Sequence, residues 1–351
     1  MVCHAGAVNS RRRVLATLFV ALVGAATLSG QPPAGEPAPS VDRAAFGSWV
    51  EAVRAEALTR GISQGTLDLA LTGLEPVEKV LERDRTQAEF TLSIDAYLKR
   101  RLTPATVKTA RQQAKHHQAV LKKVAKAYGV DPRVLVAIWG LESNFGRFSG
   151  VRPTVPVLAT LAWEGRRGEF FRQQLFDALT IVDRGDIAFE KLKGSWAGAL
   201  GQVQFMPSSY LKWAVDFDGD GDRDVWTSPP DIFGSIGHYL QQHGWTEGRW
   251  GYTARIPEEA RGRVATVPLR ETGCRAVRGL TQARALKDWR TLGVRRSNGQ
   301  PMPASPREAS LLDIDDRRYL VTSNYEVLLA YNCAHTYALS VASLADRIPA
   351  F

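Results

Sequence analysis

The chain has 351 residues, 44% of them hydrophobic and 23% charged, with 45 Lys and Arg against 36 Asp and Glu and a net charge of +9. That length carries one large or two medium domains with a sizeable core, and the composition excludes a wholly disordered or collagen-like chain. It holds no Gly-rich phosphate loop, no G-x-S-x-G elbow and no recognisable nucleic-acid module, so those three classes of function are not indicated.

The first thirty residues read as a signal peptide: Arg11, Arg12 and Arg13, then a short apolar run from 14 to 23, then Gly24, Ala25 and Ala26. The run is too short for a stable membrane anchor. Gln31 stands where a lipoprotein would need Cys, so the expectation is an exported, soluble, periplasmic protein without a lipid anchor. Removal of residues 1–30 lowers the net charge to +6, a balance suited to an anionic polymer or a membrane surface. A Pro-rich linker follows over 31–41. Cys274 and Cys333 remain as an even pair, and a disulfide between them is expected in an oxidising compartment.

Residues 42–130 read as an α-helical domain. Trp49, Val53 and Leu58 mark one helical segment, Leu67, Leu71 and Leu74 a second, and residues 107–128 one long Lys-rich helix ended by Gly129. Residues 131–249 are richer in Gly and Trp and hold most of the candidate chemistry. Residues 250–322 change character: 264–269 and 318–322 read as strands, with Pro and Gly punctuating the region between. Helical pattern returns over 323–351. The layout is mainly α with a small β-containing insertion.

Within the 131–249 segment, Asp131 and Pro132 open a helix, and Val134, Leu135, Ile138, Leu141 and Phe145 recur at helical spacing. Glu142 falls on the same apolar face, near the negative end of the helix dipole. Loss of water and the dipole both favour its protonated form, as a general acid requires. A buried Glu held by an Arg or a backbone N–H is the other reading of the same pattern.

Residues 194–207 are too glycine-dense for an ordinary helix; their small side chains suit close approach to a ligand or tight helix packing, and Ser195 and Gln204 supply hydrogen-bonding groups. Next, Asp216, Asp218 and Asp220 occupy positions one, three and five of an EF-hand-like loop, with Gly221 at six and the carbonyl of Asp222 at seven. Position twelve is Thr227 rather than Glu, and Asp231 is the candidate closing ligand. The oxygen set predicts a structural calcium ion rather than a merely solvated acidic turn. His238 and His243 lack the partners of a zinc site. No organic cofactor is indicated.

Three segments in this order resemble the lytic murein transglycosylases of the membrane-bound B type, a branch of the lysozyme superfamily: residues 137–146 around Glu142, residues 195–210, and the loop 216–226. Residues 331–338 (Tyr331, Asn332, Cys333, Ala334, His335, Thr336, Tyr337, Ala338) resemble a family signature, and residues 83–90 resemble the family's N-terminal region. The likeness covers roughly residues 42–347. It implies a helical N-terminal domain (42–130), a lysozyme-like core with the EF-hand-like loop (131–249), a small β-containing domain (250–322) and C-terminal helices returning to the core (323–351). It implies Glu142 as the lone acid/base and Ser195, Gln204, Asn332 and Tyr337 as glycan-site residues.

The implied reaction is cleavage of the β-1,4 bond between N-acetylmuramic acid and N-acetylglucosamine in peptidoglycan, with formation of a 1,6-anhydro ring. The implied partners are glycan strands and other cell-wall enzymes. Trp139, Trp163 and Trp196 are candidate sugar-stacking faces. A hydrolytic muramidase and a non-catalytic wall-binding protein are the competing expectations. Two departures stand out: the lipid-bearing Cys is absent, and the acidic loop is one residue longer before Asp231.

Overall fold

A computed structural model describes residues 42–85 and 92–351. The expected signal segment, the linker and residues 86–90 of the N-terminal motif lie outside them.

Local chemistry starts several of the helices. α1 (Arg43–Thr59), α2 (Gln64–Leu71), α4 (Ile94–Arg101) and α5 (Pro104–His116) begin at Asp42, Ser63, Ser93 and Thr103, each of whose side chains accepts an amide N–H from the first turn. α3 (Glu78–Arg85) lies between them in sequence. α6 (Gln118–Tyr128) ends at Gly129, whose φ of 68° is natural only for a residue without a Cβ. α7 (Pro132–Ser143) opens on Asp131, whose carboxylate accepts from the Arg133 amide at 2.9 Å.

One expectation fails here: residues 107–128 are not a single helix. The chain breaks at His117, whose ring meets Trp139 and Phe233 edge-on at 5.4 Å each. A continuous helix gives no such turn, and burial of the ring lowers its pKa.

α8 (Thr154–Glu164) and α9 (Gly168–Asp183) pack together, followed by α10 (Pro207–Trp213) and α11 (Pro229–Gln242). A short antiparallel ribbon brackets α8 and α9, joining β1 (Arg152–Pro153) to β2 (Lys193–Gly194), with Arg152 opposite Gly194. The chain then enters a five-stranded antiparallel sheet of order β4-β6-β7-β3-β5: β3 (Gly251–Arg255), β4 (Arg284–Ala285), β5 (Arg295–Arg296), β6 (Glu308–Ile314) and β7 (Arg317–Val321). The strand read at 318–322 is β7.

The strand read at 264–269 is not present. α12 (Arg261–Ala265) ends there in a turn, because Val264 and Val267 bury together at the three-residue spacing of a helix and Pro268 has no N–H for a ladder. α13 (Arg275–Arg278) and α14 (Leu286–Thr291) complete the insertion. Its own small core gathers Trp289, Leu286, Leu311 and Leu320.

Asn324, almost fully buried, closes the insertion at its root: its amide donates to the carbonyls of Thr246 and Gly248, and its oxygen accepts from the Thr246 amide. Beyond it, α15 (Ser323–Tyr331) and α16 (His335–Ala345) return to the main core, separated by a break at 332–334. The Cys274–Cys333 disulfide ties that break to the start of α13. Among the described residues no single helix is long and apolar enough to cross a membrane.

Candidate active site

α7 is the axis of the site. It packs against α5, α6, α11 and α16, and every residue from 134 to 141 is buried, so it is apolar all round rather than on one face. Gly140 makes room for the Phe145 ring, which a Cβ would strike. The helix ends on Asn144 and Phe145 in succession, at φ of 51° and 58°, followed by Gly146 at 82°. Two left-handed non-glycine residues in a row hold strain of roughly 1–3 kcal/mol each, which the surrounding packing must offset. Ser143 locks this turn, donating to the Trp139 carbonyl at 2.8 Å and accepting from the Gly146 amide at 3.0 Å.

Glu142 sits in that last turn, half-buried, on a cleft of about 400 Å³ lined also by Arg83, Arg152, Ser195, Trp196 and Gln204. Loss of water drives its pKa up to about 7, against the smaller opposing influences of Tyr337 and Arg101. The buried Tyr337 hydroxyl lies beside the carboxylate without closing a hydrogen bond of ordinary geometry, and burial, reinforced by Glu142's charge, raises its pKa. Arg101, at the end of α4, donates to the Leu141 carbonyl at 2.7 Å and so satisfies one of the unpaired carbonyls at the helix end. Glu142 is the one carboxylate among the described residues that line the cleft.

The opposite wall is the glycine-rich segment. Ser195 Oγ accepts from the amides of Ala197 and Ala199 at 3.3 and 3.1 Å, which leaves its own proton free to donate. Gln204 adopts φ of 52° and donates to the Gly201 carbonyl at 2.9 Å. Tyr331 fixes this wall to the C-terminal helices by donating to the Val203 carbonyl at 2.7 Å, and its ring stacks on Tyr337 at 6.2 Å.

Not every expected residue reaches the cleft. Asn332 is exposed at the break between α15 and α16 and is not among the cleft-lining residues. Of the three tryptophans, Trp196 lines the cleft; Trp139 is core, and Trp163 packs edge-on against Phe46 at 5.3 Å.

The sequence reading missed Gln202. Its oxygen accepts from Trp139 Nε1 at 2.7 Å and its amide donates to the Trp226 carbonyl at 2.6 Å, which binds the Glu142 helix to the acidic loop. A Cβ on Gly146 would lie 2.6 Å from that same oxygen. A lone Gln in a glycine-rich run carries no local signal of such a role.

In the acidic loop, carboxylate oxygens of Asp216, Asp218, Asp220 and Asp231 come within 4.8 Å of one another. Asp216 accepts the amides of Gly219, Asp220 and Gly221, wrapping the backbone around it. Buried Asp231 accepts from the amides of Phe217 and Asp224 and so joins both ends of the loop; desolvation raises its pKa to about 6. The side chain of Asp222 stays outside the group, in keeping with a carbonyl ligand at that position. An all-oxygen set of this kind fits calcium.

A family profile for the transglycosylase SLT domain matches residues 45–346. The membrane-bound lytic murein transglycosylase B of Escherichia coli K12 is 32% identical over 260 residues, which are 72% of this chain and 66% of that protein. The fold is similar to that of SltB3 from Pseudomonas aeruginosa, solved in complex with NAG-anhNAM-pentapeptide, at a TM-score of 0.78 and 39% identity over 86% of this chain and 78% of that one. It is also similar to the Escherichia coli lytic transglycosylase Slt35, solved in complex with calcium, at a TM-score of 0.70 and 27% identity over 86% of this chain and 92% of that one. With its lysozyme-like, mainly helical fold and a profile match over most of its length, the chain belongs to the SLT-type lytic transglycosylase family.

Proposed function

We propose that the protein cleaves peptidoglycan between N-acetylmuramic acid and N-acetylglucosamine and closes a 1,6-anhydro ring, with Glu142 as its acid and then its base. One observation carries this reading: a single carboxylate of pKa about 7 faces a cleft in which no second carboxylate is present among the described lining residues. Ordinary glycosidases need a pair, set about 5–5.5 Å apart for retention or about 6.5–9.5 Å for inversion.

With one carboxylate, the substrate completes the chemistry. Protonated Glu142 gives its proton to the bridging oxygen as the C1–O4 bond breaks, and the muramoyl acetamido group stabilises the developing cation. The Glu142 carboxylate then takes the C6 hydroxyl proton as O6 bonds to C1. The acid is restored and no water is consumed. Ser195 and Gln204 hold the sugars by hydrogen bonds from the opposite wall. Tyr337 stands beside the carboxylate, whereas the exposed position of Asn332 outside the cleft gives it no part in this reading. Similarity to a protein solved with an anhydro-muramoyl peptide supports the ring closure.

Asp216, Asp218, Asp220 and Asp231, with the Asp222 carbonyl, are the proposed calcium ligands, and the ion would neutralise their mutual repulsion. Similarity to a protein solved with calcium supports this. We read residues 1–30 as an export signal and the mature protein as periplasmic and free of lipid, acting on glycan strands beside other cell-wall enzymes.

Digestion of purified peptidoglycan, with mass spectrometry of the released muropeptides, tests the reaction. Products ending in 1,6-anhydro-muramic acid are expected. Reducing-end products would make the protein a hydrolase, and no release by folded, calcium-loaded protein would leave a wall-binding role.

A further inference from the structure

Two guanidiniums stand in the cleft without counter-ions among the described residues. Arg83, exposed in the last turn of α3, lies over the Trp196 ring at 5.0 Å from its centroid, and Arg152 extends from β1 opposite Gly194, next to Ser195. Neither pairs with a carboxylate among the described residues, although two neighbours do: Arg85 with Glu164, and Arg166 with Asp84. The backbone that carries Arg152 lies tight against β2: a Cβ on Gly150 would collide with the Gly194 backbone. Glu142, the one acid among the described lining residues, must be neutral to begin the proposed reaction, so it does not balance them at that stage. Neutral sugars give two guanidiniums nothing of opposite charge, whereas a carboxylate meets the guanidinium fork with charge-assisted hydrogen bonds.

Resting on the function proposed above, we propose that Arg83 and Arg152 form a carboxylate clamp that selects glycan strands carrying anionic stem peptides. Trp196 holds the Arg83 guanidinium flat by cation–π contact, and β1–β2 pairing sets the position of Arg152.

The test compares native soluble strands with the same strands after carbodiimide coupling of their carboxylates to methylamine. Wild type should show a lower KM for native strands. Arg83→Ala and Arg152→Ala should each raise the native KM by about three- to tenfold and shrink the native-over-neutralised preference, with kcat far less affected. Arg83→Lys should keep part of the preference. Arg290→Ala, an exposed charge on the inserted domain, controls for general electrostatics and should leave the ratio unchanged. Equal losses on both substrates, or no preference in the wild type, would overturn the clamp. If the wild type cleaves neither strand, the function is wrong, and calorimetry still decides the clamp. GlcNAc-MurNAc-pentapeptide should then bind more tightly than its methylamide, and only while both arginines are present; equal binding of the two would refute it.

Discussion

Glu142 is held in conflict with stability. Its carboxyl ionises near pH 4.5 in an unfolded chain and near 7 in the folded one. Below pH 4.5 both states hold the proton and the residue is neutral in the balance. As pH rises from 4.5 to 7 the unfolded state ionises first, so stability falls; above 7 the loss is complete, at about 1–3 kcal/mol. Glu142→Gln should therefore match wild type in Tm at pH 4 and exceed it at pH 8, while muropeptide release falls by at least about a thousandfold. In the wild type, release should decline as pH rises through about 7, because the acid that starts the reaction is lost. An equal Tm difference at both pH values would remove burial as the cause. Gln202 is the complementary case, stabilising rather than strained. Gln202→Ala leaves Trp139 Nε1 and the Trp226 carbonyl without their partner and should cost about 2 kcal/mol in denaturant unfolding.

The acidic loop and its joined helices act as one element. Asp231 is buried and its pKa is raised, so without a cation its charge opposes folding; a divalent ion reverses that sign. Calcium at a hundredfold above its Kd should add about 2.7 kcal/mol, seen as a rise in Tm that Asp231→Asn abolishes. Absence of any calcium-dependent shift would sink the assignment. At this scale sequence and structure part company in informative places. Asp131, Pro132 and Gly129 made the limits of α6 and α7 readable, because caps and breakers are local chemistry. The break at His117 was not readable, since it depends on Trp139 and Phe233 reaching the ring from other helices. Residues 264–269 misled because β-branched residues fit a strand, yet tertiary burial of Val264 and Val267 decided the outcome. Glu142, Ser195 and Gln204 came from motifs. Arg83 and Arg152 acquire meaning only where α3 and β1 converge on one cleft.

At the scale of the molecule, the insertion is strongly basic: residues 250–322 hold fourteen Arg and Lys against eight acids, a net +6 within a chain of net +9. Asn324 and the 274–333 disulfide fasten this domain to the helices behind the cleft. With its cysteines 59 positions apart, the disulfide should stabilise by up to about 4 kcal/mol on a chain-entropy account. Reductant should lower Tm accordingly, and the Cys274→Ser, Cys333→Ser double variant should show no further response. The cleft has a further property. Its walls come from residues 83, 142, 152 and 195–204, and residues 331–337 brace it from behind. No continuous stretch of chain assembles it, and such distant pairings must first offset the entropy of closing long loops. A partly folded chain therefore lacks the cleft on which the proposed cutting of peptidoglycan depends. The topology makes the proposed activity conditional on completed folding, with the C-terminal helices in place behind the wall.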